Sequence, residues 1–68
     1  MTVSDFLDIA ELRLAQAGYA ETFAAAANAG ASNEDALSSA DLAMPAITTQ
    51  VEALFGTLRK IAAEVKAL

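Results

Sequence analysis

Residues 45–68, PAITTQVEALFGTLRKIAAEVKAL, decide the fold of this chain. Their large aliphatic residues recur at spacings of four and three over three heptads, which is typical of an amphipathic helix. We call this stripe the heptad seam; its members are Ile47, Val51, Leu54, Leu58, Ile61, Val65 and Leu68. Phe55 and Ala62 widen the stripe on one flank. A two-stranded coiled coil keeps a narrower stripe, so the width favours packing within a helical bundle.

A second long helix is predicted over residues 2–27. Thr2 and Asp5 have the spacing of a capping box, with Asp in place of the usual Glu. Two adjacent apolar strips then follow at helical spacing. The first strip is Val3, Leu7, Ala10, Leu14 and Ala17, and the second is Phe6, Ile9, Ala20 and Phe23. Together they are wider than one partner helix would cover, so the helix is expected to contact more than one neighbour.

The glycines and the proline leave the number of helices open. Gly18 either ends a first helix or allows another helix to approach closely. Gly30 ends the helical stretch, and a separate short middle helix over residues 33–43, capped by Ser32 or by Asn33, is one of the options that the sequence leaves open. Pro45 is expected to start the last helix, because proline suits a first helical turn and restricts the residue before it.

The predicted fold class is all-α, as a small helical hairpin or a three-helix bundle in one domain, residues 1–68. The chain has 18 alanines and neither Cys nor His, so disulfides and histidine-bound metals cannot supplement a thin core. We therefore expect the fold to be completed by oligomerisation or by a partner. The residues predicted to form the core or an interface are Leu7, Leu14, Phe23, Ile47, Val51, Leu54, Phe55, Leu58, Ile61 and Val65.

The charge distribution predicts that the two long helices run antiparallel. Residues 1–41 contain seven acidic side chains and one basic side chain, which gives a net charge of −6. Residues 42–68 contain two acidic and three basic side chains, a net charge of +1. Antiparallel packing brings Asp5, Asp8 and Glu11 close to Arg59, Lys60 and Lys66.

Composition also argues against several classes of function. A formal net charge of −5 disfavours nucleic acid, whose binding depends on Lys and Arg meeting phosphate. No apolar run approaches the length of about 20 residues that a membrane span needs. Without a signal-peptide pattern, the expected location is the cytoplasm, although export that needs no signal peptide remains open. The lack of His and Cys predicts no metal site, no cofactor and no enzymatic activity.

The resulting hypothesis is a non-enzymatic protein–protein interaction or assembly module, which packs apolar helix faces against itself or a larger partner. One alternative is a repetitive structural subunit, such as a virion component or a secreted or extracellular filament. Another is a small carrier or modified peptide, with Ser38 or Ser39 as the attachment point.

The heptad seam predicts which positions matter for stability. Leu58→Ala should lose most of the helicity at room temperature, or dissociate an oligomer, because truncating a buried Leu costs about 2–5 kcal/mol. Lys60→Ala lies off the stripe and should change the free energy of unfolding by less than about 0.5 kcal/mol. Circular dichroism and thermal melts compare the two variants. The heptad assignment would be contradicted if Leu58→Ala melted at the same temperature as the parent chain while Lys60→Ala lost its helicity.

Overall fold

Two long helices joined by a tight turn make up the computed structural model, which describes residues Met1–Leu68. Helix α1 spans Val3–Asn28 and helix α2 spans Asn33–Ala67. They pack antiparallel as a hairpin of 52 × 21 × 14 Å. The Cα radius of gyration is 15.4 Å, against about 11 Å for a globular chain of this length. The predicted all-α hairpin is therefore confirmed, in an extended form, and neither helix is long and apolar enough to cross a membrane.

Side-chain caps begin both helices where the sequence predicted them. Thr2 Oγ1 accepts a hydrogen bond from the Asp5 amide at 3.1 Å, and Asp5 Oδ2 accepts one from the Thr2 amide at 3.3 Å. This reciprocal pair is a complete capping box. At α2, Ser32 Oγ accepts from the Asp35 amide at 3.2 Å. Both helix starts are thus fixed by hydrogen bonds within one turn of the chain.

The turn between the helices is a Schellman motif. The Ala31 amide donates to the Ala26 carbonyl at 3.0 Å, and the Gly30 amide donates to the Ala27 carbonyl at 3.1 Å. Gly30 has a φ of 101°, a left-handed conformation that residues with a Cβ rarely adopt. The predicted end of the first helix at this glycine is confirmed. The motif reverses the chain within a few residues and returns α2 along α1.

Helix α2 continues through Pro45, so the prediction that Pro45 starts a new helix is wrong. Of the options that the sequence left open, a separate short helix over 33–43 is excluded for the same reason. An interior proline removes one backbone hydrogen bond and costs about 3 kcal/mol. Ala36 before the proline and Val51 and Phe55 after it are all buried. Packing against α1 on both sides of the proline offsets that local cost and keeps the two segments in one helix.

Gly18 does not interrupt α1, and it lies where the helix contacts Ile47 of α2. A Cβ at this position would lie only 2.9 Å from the Ile47 Cγ2 methyl. The interpretation of Gly18 as a site of helix approach is therefore the correct one of the two that the sequence left open. The Thr22 hydroxyl donates to the Gly18 carbonyl at 2.9 Å, which satisfies that carbonyl a second time within the helix.

The core between the helices is small. Its buried cluster consists of Leu7, Val51 and Phe55. Partly buried side chains surround the cluster: Ala10, Ala15, Ile47, Leu58 and Ala62. Towards the turn, only alanines, at positions 36 and 40, are buried. Twelve other large apolar residues are exposed, so most of the apolar bulk of the chain lies outside the helix–helix contact.

Two glycine substitutions test the close approach. Gly18→Ala should lower the free energy of unfolding by about 1–2 kcal/mol, because the methyl group overpacks against Ile47 and outweighs the gain in helix propensity. Gly56→Ala should raise it by up to about 1 kcal/mol, because no atom lies within 4 Å of the added methyl group. Denaturant unfolding of both variants measures the difference. Equal stabilisation by the two substitutions would show that the helices do not touch at Gly18.

Candidate interaction surface

Helix α2 turns only part of its heptad seam towards α1. Val51 is buried and Ile47 and Leu58 are half-buried, whereas Leu54 and Ile61 are each 49% exposed. The residues that face α1 follow one flank of the predicted stripe: Ile47, Val51, Phe55, Leu58 and Ala62. Because the stripe is wider than one helix can cover, the other flank is left in solvent.

Helix α1 leaves its bulkiest apolar residues outside in the same way. Phe6 is 59% exposed, and Ile9 and Leu14 are also exposed. The stripe that meets α2 contains small or polar residues such as Ala15, Gly18 and Thr22, alongside Leu7. The helices therefore approach closely through small side chains, and the large ones remain available for another contact.

The exposed residues of the two helices form one continuous surface. Leu14 and Ala17 of α1 line a shallow groove with Ile47 and Leu54 of α2. A neighbouring groove is lined by Phe6 and by the same Leu14 and Ala17. Ile61 and Val65, which lie two and three helical turns beyond Leu54, are also exposed and extend this surface along α2. We call this surface the open apolar face; its members are Phe6, Ile9, Leu14, Ala17, Leu54, Ile61 and Val65.

Charged contacts between the helices lie outside the open apolar face. Arg59 Nη2 is 2.8 Å from Asp8 Oδ1, and Arg59 Nη1 is 2.7 Å from Glu11 Oε1. The predicted antiparallel charge arrangement is thereby confirmed for Arg59, while Lys60 and Lys66 make no ion pair within the chain. The Arg59 guanidinium carbon also lies 6.0 Å from the centroid of the buried Phe55 ring, a cation–π distance.

A second polar contact ties the helices together nearer the turn. The Tyr19 hydroxyl donates a hydrogen bond to Asp41 Oδ1 at 3.0 Å, across 22 residues of sequence. This bond first, then desolvation of the hydroxyl and the negative charge of Asp41, raise the pKa of Tyr19 above its ordinary value of 10.0. The carboxylates that bind Arg59 and Tyr19 are therefore engaged in holding the hairpin, and no three acidic groups come together where they could bind a metal ion.

The predicted core and interface residues divide into three groups. Leu7, Val51 and Phe55 are buried; Phe23, Ile47 and Leu58 are half-buried; Leu14, Leu54, Ile61 and Val65 are exposed. The last group lies on the open apolar face. Ser38 and Ser39, the attachment points of the carrier alternative, are exposed on α2.

Sequence reasoning missed two side chains that border this face. Arg13 lines the groove beside Phe6, and Glu21 lines the groove beside Leu54. They are four residues on either side of Ala17. That symmetric spacing is visible in the sequence and is the signal that could have identified them.

No protein-family model, curated protein or solved structure matches this chain, so the interaction surface is interpreted from its own residues.

The pKa of the single tyrosine reports directly on the hairpin. Because the folded pKa of Tyr19 is raised, the bond stabilises the fold below about pH 10, and this contribution is lost as the pH rises through the folded pKa. In an absorbance titration, Asp41→Ala should return the Tyr19 pKa to about 10. Glu52→Ala, an exposed acid elsewhere on α2, should leave the raised value unchanged. Identical titration of the parent and Asp41→Ala would contradict this contact.

Proposed function

We propose that this chain is a non-enzymatic assembly module that binds protein through the open apolar face. The observation that carries this proposal is that the exposed apolar side chains and the polar contacts between the helices lie on different parts of the hairpin surface. Large aliphatic and aromatic side chains from both helices lie along two adjoining grooves, while the ion pairs and the Tyr19 hydrogen bond lie elsewhere. A surface of this kind, apolar and continuous across two elements, is typical of a protein interaction site.

The extent of exposed area supports the same interpretation. The chain exposes 5032 Å², whereas a folded monomer of 7.0 kDa exposes about 4,000 Å² by the usual scaling with mass. The excess is about 1,000 Å². Apolar area buried against a partner contributes about 25 cal/mol per Å². A partner that covers part of the exposed apolar surface therefore adds stability to a chain with so small a core.

The chemistry of the side chains favours binding over catalysis. General acid–base and nucleophilic mechanisms rely most often on His, Cys or activated Ser, and this chain has neither of the first two. Asp8 and Glu11 are paired with Arg59, and Asp41 accepts the Tyr19 hydrogen bond. Each of these carboxylates already has a structural partner, which supports a role in holding the hairpin.

A repetitive structural subunit is the second candidate, and one observation favours it. Leu12, Leu37 and Leu42 are exposed outside the open apolar face, and Leu42 is 83% exposed. A rod 52 Å long with apolar residues on more than one side has the geometry needed to contact several neighbours in an array. Electron microscopy of the concentrated chain would reveal regular assemblies if this candidate is correct.

Site-specific photo-crosslinking in the native host tests the assembly function. A photo-reactive residue at position 54 should give covalent adducts with protein, because Leu54 lies at the centre of the open apolar face. The same residue at position 60 is the matched control, since Lys60 is exposed on the same helix but off the face. Mass spectrometry identifies the adducts. Equal labelling at the two positions, or none at position 54, would contradict the proposal.

A further inference from the structure

We infer that the occupant of the open apolar face is a second copy of this chain, packed as a two-fold dimer about Ala17. In this dimer α1 runs antiparallel to α1 of the second copy, the two turns lie at opposite ends, and four helices enclose a common core. The inference rests on the proposed function and names its partner. Two features of the described surface carry it: its distribution of large and small side chains, and its charges.

Large and small side chains are segregated along the open apolar face. Phe6, Ile61 and Val65 lie at the end away from the turn. On the other side of Ala17, towards the turn, α1 continues with alanines at positions 20, 24 and 25. A two-fold axis at Ala17 brings together residues that are equally far from it, so Leu14 and Ile9 of one copy lie level with Ala20 and Ala25 of the other. Alternating large and small residues across an interface is what lets two layers interdigitate at native density.

Charge at the border of the face has the same two-fold symmetry. Arg13 and Glu21 are each four residues from Ala17, and each lines one of the two grooves. Neither makes an ion pair within the chain, in which Arg59 makes both salt bridges. Antiparallel packing of α1 on its own copy about Ala17 places Arg13 opposite Glu21 of the second copy, twice per dimer. A dimer with both turns at the same end would crowd the bulky ends together and leave these charges unmatched.

Charge reversal tests this pairing with purified protein. Sedimentation equilibrium should give a dissociation constant about tenfold weaker for Arg13→Glu, and a similar weakening for Glu21→Arg, because each creates two like-charge contacts. The double variant should regain the parental affinity. Lys60→Glu, which makes the same change in net charge as Arg13→Glu, should leave the dissociation constant close to parental.

The change in the dissociation constant of Glu21→Arg distinguishes specific Arg13–Glu21 pairing from general charge repulsion between the two copies. This variant lowers the net negative charge, so general repulsion alone would strengthen the dimer, whereas specific pairing predicts a weaker one. A stronger dimer for Glu21→Arg, or no recovery in the double variant, would overturn the arrangement about Ala17.

Cysteine crosslinking tests the position of the axis independently. The chain has no cysteine, so oxidation of Ala17→Cys should link two copies, since residues at a two-fold axis meet their own equivalents. Lys60→Cys, exposed on α2 but off the open apolar face, should not crosslink. A parental chain that stays monomeric at all concentrations would overturn the second copy as occupant. In that case, adducts of position 54 with another host protein would still support the proposed assembly function. If there were no such adducts either, both the dimer and the assembly function would be contradicted.

Discussion

The close contact between α1 and α2 at Gly18 and Ile47 is the constraint on which the rest of the structure depends. A Cβ on residue 18 would lie 2.9 Å from the isoleucine methyl, so α1 has no room there for a larger residue. Between the helices, one small cluster of Leu7, Val51 and Phe55 supplies the buried bulk, and only Ala36 and Ala40 are buried nearer the turn. Most of the other large apolar residues stay exposed.

Much of this architecture could be predicted from particular residues. The capping side chains of Thr2 and Ser32 and the left-handed Gly30 act over a few residues, so their sequence signals are local and reliable. The antiparallel direction followed from the opposite charges of the two halves. The prediction that Pro45 starts a new helix was wrong because it considered only the local cost of a proline inside a helix, about 3 kcal/mol. The tertiary packing that offsets it, on both sides of the proline, cannot be seen in the sequence near it.

The periodicity of the sequence could not predict which side of α2 faces α1, and the reason is different. An apolar stripe wider than one helix can cover does not say which flank faces the partner. Phe55 and Ala62, which only widened the heptad pattern, turn inward, and Leu54 and Ile61 turn outward. Arg59 helps set this rotation, because its two ion pairs to α1 and its position over the Phe55 ring fix that side of α2. The open apolar face is the consequence, and so it emerged only from the three-dimensional arrangement.

Burial links the composition of this chain to its proposed function. Alanine makes the helices but supplies little core, twelve large apolar residues stay exposed, and association is the means left to cover them. The most direct test is thermal unfolding of the purified chain across a dilution series, monitored by circular dichroism. If the fold is completed by association, the midpoint rises with concentration, because mass action couples folding to assembly. A cooperative transition with a concentration-independent midpoint, for a chain that sediments as a monomer throughout, would contradict the account.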